Sequence, residues 1–216
     1  MLVLGFDPGG IGQFGWCVAE SGGNHRIRIR ASGMTDSAAE AHERTLAHVR
    51  DRTQIVAAGI DSPLFWVANG DREADKIIRK AMTDLGAANV HGTVQQVNSL
   101  RGACLAQGII AAHLLRREMR NVRLTESHPK ALLWLLKVAT KERRVLDVTT
   151  EHLVDFVECE STLVSEHERD AVLGALGAFA MVCGAAGWRN LAQDERDPFI
   201  PVAPVEYWMP IPRHAA

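Results

Sequence analysis

Hydrophobic positions along this chain follow two periods, and the places where one gives way to the other mark its elements. Leu2-Val3-Leu4 is a short apolar run closed by Asp7; Pro8-Gly9-Gly10 then forces a turn, and a second run, Phe14 to Ala19, follows at once. That is the pattern of a β-hairpin with one carboxylate at the end of its first strand. After a second turn at Ser21-Gly22-Gly23-Asn24, His25 to Ala31 alternates strictly between polar and apolar residues, so a third strand with one wet face is expected. Arginines 26, 28 and 30 share that face. They suit an edge strand charged against edge pairing better than a phosphate-binding stripe. Ile55 to Ile60 is nearly all apolar, as a strand covered on both faces should be, and ends in Asp61-Ser62-Pro63-Leu64. Val122 to Thr125 predicts one more strand, ending at Glu126 and again followed closely by proline.

Between the strands the period lengthens to that of helices. Ser37 to Asp51 places Ala38, Ala41, Leu46 and Val49 on one side, and Ser99 to Arg120 is built on Leu100, Leu105, Ile109, Ile110, Leu114 and Leu115. Phe65 to Gly70 reads as a loop. A charged helix after it carries Arg72, Asp75, Lys76, Arg79 and Lys80 and is expected to turn them to solvent. Further helices are predicted at Lys130–Lys137, at about Thr150–Cys159 and from Ser165. Ser165 with Glu168 three residues on is a capping-box pattern, and on that cap His167 and Asp170 share a face, with Glu166 beside Asp170. Ala171, Gly174, Ala175, Ala178 and Ala180 make a small-residue surface able to approach a sheet closely, and Gly184 or Gly187 ends the helix.

This order predicts an α/β fold with a mixed five-stranded sheet, three antiparallel strands followed by two parallel ones, flanked by helices. Residues 1–190 form the expected domain. Residues 191–216, rich in proline and carrying Tyr207 and Trp208, form an extended tail that packs on the domain or on a partner. The length of 216 residues suits one large domain. Net charge is −2, so nucleic-acid binding needs a local basic track; Arg26, Arg28, Arg30, Arg116, Arg117, Arg120 and Arg123 are its candidates. Cys17, Cys104, Cys159 and Cys183 lack paired spacing and read as four buried thiols. With no apolar run of membrane-spanning length and no leader-like start, a cytoplasmic protein without a membrane partner is expected.

Asp7, Asp61 and Glu126 all fall at strand ends on the carboxyl edge, where α/β sheets place ligands. Asp170 would join them from a docked helix. Four such acids would repel one another without a cation, and hard oxygens of this kind suit Mg²⁺ or Mn²⁺. Gly9, Gly10, Gly12 and Gly15 could leave room near the turn for an ion or a phosphate.

GFDPGGIGQFGW resembles the opening hairpin of the Holliday-junction resolvase branch of the ribonuclease H-like superfamily, and His167 to Val172 resembles that branch's H-x-x-D-A helix start. In closer detail the chain is similar to domain-of-unknown-function family 429, described as predicted ribonuclease H-like nucleases. The shared pattern is the Gly-x-Asp hairpin, Ile60-Asp61-Ser62-Pro63-Leu64, Arg72-x-x-Asp75, Glu126-x-x-Pro129 and Asp170-Ala171, over roughly residues 2 to 185. The resemblance implies a metal-dependent nuclease. Asp7, Asp61 and Asp170 would be its metal carboxylates, Glu126 a fourth acid and His167 a ligand or proton-transfer group. Arg72 and Asp75 would either pair to shape their loop or contact substrate. An actin- or sugar-kinase-like phosphotransferase or ATPase, completed as a homodimer, and a non-catalytic binding protein of the same fold remain the alternatives.

Overall fold

The computed structural model describes residues 1–67, 71–96, 102–160 and 162–211. β1 (Leu2–Asp7) and β2 (Phe14–Ser21) form the expected hairpin, with β3 (Ile27–Thr35) antiparallel to β2. β4 (Ile55–Ile60) lies parallel to β1 on its other side, and β5 (Arg123–Glu126) parallel to β4. This five-stranded core, order β3-β2-β1-β4-β5, has the three antiparallel strands followed by two parallel ones anticipated from the sequence.

The sheet is larger than five strands, however, and among the described residues has eight, in the order β6-β3-β2-β1-β4-β5-β8-β7. β6 (Val157–Glu158) caps the β3 edge within a segment whose pattern predicts helix; a 3₁₀ turn at Thr150–Leu153 is all the helix that forms there. β7 (Arg189–Asn190) and β8 (Glu206–Met209) extend the opposite edge. Two- and four-residue strands are too short for a period to register, and they form because a neighbouring edge offers unpaired backbone groups. The extended tail therefore packs on the domain itself through β8, where Tyr207 is fully buried.

The helices are α1 (Ala38–Ala47), α2 (Glu73–Asp84), α3 (Val90–Thr93), α4 (Gly102–Glu118), α5 (Pro129–Leu135) and α6 (Glu166–Cys183). The expected start of α4 at Ser99, the tip of the loop at 68–70 and the last residues of the tail lie outside the described residues. α2 departs from expectation, since its buried face is Ala74, Asp75, Ile78, Arg79 and Met82. Arg79 reaches Asp71 at 2.6 Å and the carbonyl of Val94 at 3.2 Å, so Arg72, Asp75 and Arg79 serve internal pairing, while Lys76 and Lys80 face solvent as expected. Of the thiols only Cys17 is fully buried; Cys104 and Cys159 are half-buried and Cys183 is exposed.

α6 is the helix that matters most for the sheet edge. Ser165 accepts from the Glu168 amide at 3.0 Å, while the Glu168 carboxylate turns back to the Val164 amide at 2.8 Å and to the Ser32 hydroxyl on β3. Gly184 closes the helix in the left-handed conformation. Along its length α6 lies against glycines of three strands. A Cβ built on Gly5, Gly15 or Gly59 would stand 1.7, 2.0 or 2.0 Å from the carbonyl oxygens of Ala171, His167 and Gly174 respectively. Only glycine permits that approach, and it carries the first turns of α6 to the end of β1.

Candidate metal and nucleic-acid site

Register brings the strand-end acids together. Phe6 pairs with Ile60 and Ile60 with Glu126, so Asp7, Asp61 and Ser127 follow in one row across the carboxyl edge. The amide of Asp61 donates to the Phe6 carbonyl at 2.9 Å, and that of Ser127 to the Ile60 carbonyl at 2.7 Å, which fixes the row. α6 delivers His167 and Asp170 to the same place. Asp7, Asp61, Glu126, His167, Asp170, Arg72 and Asp75 all line a single cleft of about 300 Å³.

The three aspartates act on one another electrostatically. Burial raises the Asp7 carboxyl to about 7, with Asp61 and Asp170 adding to the rise and the His167 hydrogen bond opposing it. Asp170 is raised to about 6, again chiefly by burial, against the pull of Arg169 and with a further push from Asp61. The His167 imidazole meets Asp7 through Nδ1 at 2.7 Å and is raised above its ordinary value by that bond, against its own partial burial. Arg169 donates to one oxygen of Asp170 twice, at 2.9 and 2.7 Å, and is anchored by the carbonyls of Val145 and Val148.

Glu126 and the Arg72–Asp75 pair form a different kind of unit. Arg72 donates to both oxygens of Glu126 at 2.7 and 2.6 Å and to both oxygens of Asp75 at 2.8 Å. It also reaches the Phe65 carbonyl, and the Leu64 amide completes Glu126 at 2.9 Å. The guanidinium sits over the rings of Phe65 and Tyr207, 4.5 and 5.6 Å from their centroids. Burial opposes its charge, yet Glu126 and then Asp75 hold its pKa well above the usual arginine value. All three side chains are buried and their polar groups consumed, so this triad holds the loop after Asp61 in place beneath the cleft.

Two cleft residues carry no motif of their own in the sequence. His128, inside Glu126-x-x-Pro129, places Nδ1 3.5 Å from Asp61 and meets the Thr93 carbonyl through Nε2 at 2.8 Å. Burial works against its charge, but the hydrogen bond and charge of Asp61 outweigh it and raise the pKa. Lys130, in the first turn of α5, stands 3.4 Å from Glu166. Its charge is opposed by burial and held by Asp170 and Glu166. The proline at the start of α5 was the only available signal, since it fixes where that helix begins at the cleft wall.

The glycines of the hairpin leave no phosphate cradle. Gly15 is filled by the α6 backbone, Gly9 stands against Gln13, and Gly12, at φ 69°, donates to Asp36. The β3 arginines and Arg123 of the expected basic track are also away from this edge. Glu20 lies opposite both Leu2 and Arg28, so the β3 arginines sit at the far end of the sheet from Asp7. There Arg26 and Arg28 pair with Glu158, and Arg30 with Glu20. Arg123 begins β5 at that same far end and pairs with Glu206.

Among the described residues no three His, Cys, Asp or Glu side chains are set as a ready metal cage. The donor chemistry nonetheless fits a hard divalent cation. Asp7, Asp61 and Asp170 offer oxygens from three distant elements, and burial and aspartate repulsion raise Asp7 and Asp170 despite their His167 and Arg169 partners, a cost a divalent cation would offset.

No family model matches the chain, and no curated protein matches it. Among solved structures it is similar to RuvC of Thermus thermophilus, at 18% identity and a TM-score of 0.49, over 85% of this chain and 97% of that one. The same T. thermophilus protein in complex with Holliday junction substrate matches at 18% identity, a TM-score of 0.46 and the same coverage. No helix among the described residues is long and apolar enough to cross a membrane.

Proposed function

We propose that this chain is a divalent-metal-dependent nuclease that hydrolyses phosphodiester bonds of nucleic acid. The observation that carries the reading is the row of Asp7 and Asp61 at the ends of parallel strands, met by Asp170 from α6, with Asp7 and Asp170 raised chiefly by burial and further by the neighbouring aspartate charges. Asp7, Asp61 and Asp170 would hold Mg²⁺ or Mn²⁺, which when bound supplies Lewis-acid polarisation and a more acidic water. Asp7 would then exchange its His167 hydrogen bond for the cation. His167, a quarter of its side chain exposed, keeps Nε2 available to take or give a proton at the cleft mouth. Lys130 lies outside the Arg72 triad and, by leaving its Glu166 partner, can face a phosphate oxygen. Glu126, fully engaged by Arg72 and Leu64, acts through the loop it holds.

The test is Mn²⁺ titration by calorimetry, paired with cleavage of labelled DNA and RNA and with ATP hydrolysis. Mn²⁺ binding and metal-dependent cleavage are expected, with no ATP turnover. Asp7→Asn and Asp61→Asn should each lower cleavage at least a hundredfold. ATP hydrolysis sensitive to Asp7→Asn but not to loss of Asp170 would replace this reading with the kinase-like one, and a parent that binds no metal would sink it.

A further inference from the structure

The row that contains Asp7 and Asp61 does not stop at β5. Glu126 pairs with Tyr207, so the next position along β8, Trp208, continues the row of Asp7, Asp61 and Ser127 at the same edge. Trp208 lines a second hollow of about 420 Å³, with Trp188, Arg189, Asn190, Gln193 and Glu206 around it. Its charges are paired, although the buried Nε of Arg189 meets no partner among the described residues. Arg189 pairs with Asp194 at 2.5 Å, and Glu206 is held by Arg123 at 2.7 Å and by the Trp208 indole N–H at 2.7 Å. Asn190 gives its carbonyl oxygen to the amides of Ala192 and Tyr207. Gln193 is exposed, and its side-chain amide meets no partner among the described residues.

A hollow with two indoles, paired charges, one exposed amide and one unpartnered guanidinium N–H on Arg189 selects a planar, uncharged ring with a hydrogen-bonding edge that can accept. From these features, and resting on the nuclease reading for the identity of the polymer, we infer that this hollow is a subsite for an unpaired nucleobase of the substrate strand. β8 stands two strand spacings from β4, about 10 Å. About three stacked nucleotides cover that distance, so a strand with its scissile phosphate near Asp61 can lay a base against Trp208. The substrate class this selects is nucleic acid with single-stranded character next to the cut.

Nucleosides without phosphate, adenosine and cytidine, provide the probe, read by saturation-transfer NMR on the intact chain, with a neutral disaccharide as control. The parent should bind nucleoside and not saccharide. Trp188→Ala should weaken nucleoside binding about tenfold or more, and Gln193→Ala less. Both variants should keep the parent's Mn²⁺ affinity and raise KM for a single-stranded oligonucleotide while leaving kcat in place. Trp208→Ala should act likewise; if it fails to fold, Trp188→Ala carries the test alone. Nucleoside binding unchanged in Trp188→Ala, or saccharide bound in place of nucleoside, would overturn the subsite. A parent that binds nucleoside through Trp188 yet neither binds Mn²⁺ nor cleaves would instead overturn the nuclease reading and leave the base site standing.

Discussion

Asp7 and Asp170 are both raised by burial, but substitution should affect them differently, because their partners differ. Asp7 meets a partly exposed imidazole that can release its proton to water. With a folded pKa of about 7 against 3.8 unfolded, Asp7 contributes stability that is complete below about pH 4 and is lost as pH rises to 7. Asparagine mimics the protonated carboxyl, so Asp7→Asn should gain on the metal-free parent progressively between pH 4 and 7 and then level off. Thermal denaturation at a series of pH values checks this, and a gap that narrows with rising pH would contradict it. Saturating Mn²⁺ should close the gap at pH 7.5 by stabilising only the parent, by about 2.7 kcal/mol at a hundred times Kd.

Asp170 has no such release. Its carboxylate is the anionic partner of Arg169, itself buried, whose other contacts are neutral carbonyls. Asp170→Asn leaves that guanidinium uncompensated and should lower stability, by about 3 kcal/mol if the pair behaves like other buried ones. Sequence alone suggests a neutral or stabilising change, from relief of acid–acid repulsion, and gives no hint that Arg169 is turned inward. Denaturant titration of Asp170→Asn against Asp7→Asn separates the two cases. Arg72→Gln should cost at least as much, because it strands both Glu126 and Asp75 in the core.

At the scale of elements, the site depends on how closely α6 lies on the sheet. Gly59→Ala would place a methyl 2.0 Å from the Gly174 carbonyl oxygen, a clash with backbone that no rotamer change can relieve. A loss of about 1–3 kcal/mol or more is expected, together with weaker Mn²⁺ binding, since lifting α6 moves Asp170 from Asp7 and Asp61. Gly177→Ala, on the same helix with open space around its Cβ position, should leave both properties in place. Equal effects from the two substitutions would count against the close-packing account. The β-hairpin glycines belong to the same logic: Gly15 serves the helix, not a phosphate.

At the scale of the whole molecule, the β3 arginines and Arg123 lie away from the acidic edge, and the arginines that do reach it, Arg72 and Arg169, are bound to its carboxylates. Because the β3 arginines and Arg123 are paired at the far end of the sheet, Lys130, half-exposed and paired among the described residues only with Glu166 at the cleft mouth, is the lysine left to face a phosphate there. Nucleic-acid affinity should therefore fall with salt by a log–log slope near one, not the steep slope of a protein neutralising many phosphates. Arg28→Ala should leave that slope unchanged and Lys130→Ala should reduce it, as fluorescence anisotropy across a salt series would show.

Local pattern by itself determined the parts of this protein that repeat with a period or stop at a glycine or proline. β1 to β5, the Ser165 cap, the small-residue surface of α6 and the acids closing β1, β4 and β5 were all legible, because alternation and capping are set within a few residues. Tertiary structure alone decided what those residues meet. β6, β7 and β8 are too short to carry a period and exist because a sheet edge was there to pair with. The charged face of α2 turned inward because Asp71, Glu126 and the Val94 carbonyl awaited it. His128 and Lys130 became cleft residues through the starting point of α5, and Trp208 entered the row of Asp7 and Asp61 through pairing between segments some eighty residues apart. Side-chain partners at such separations leave no trace in local spacing, since the chain encodes them only through the register of the finished sheet.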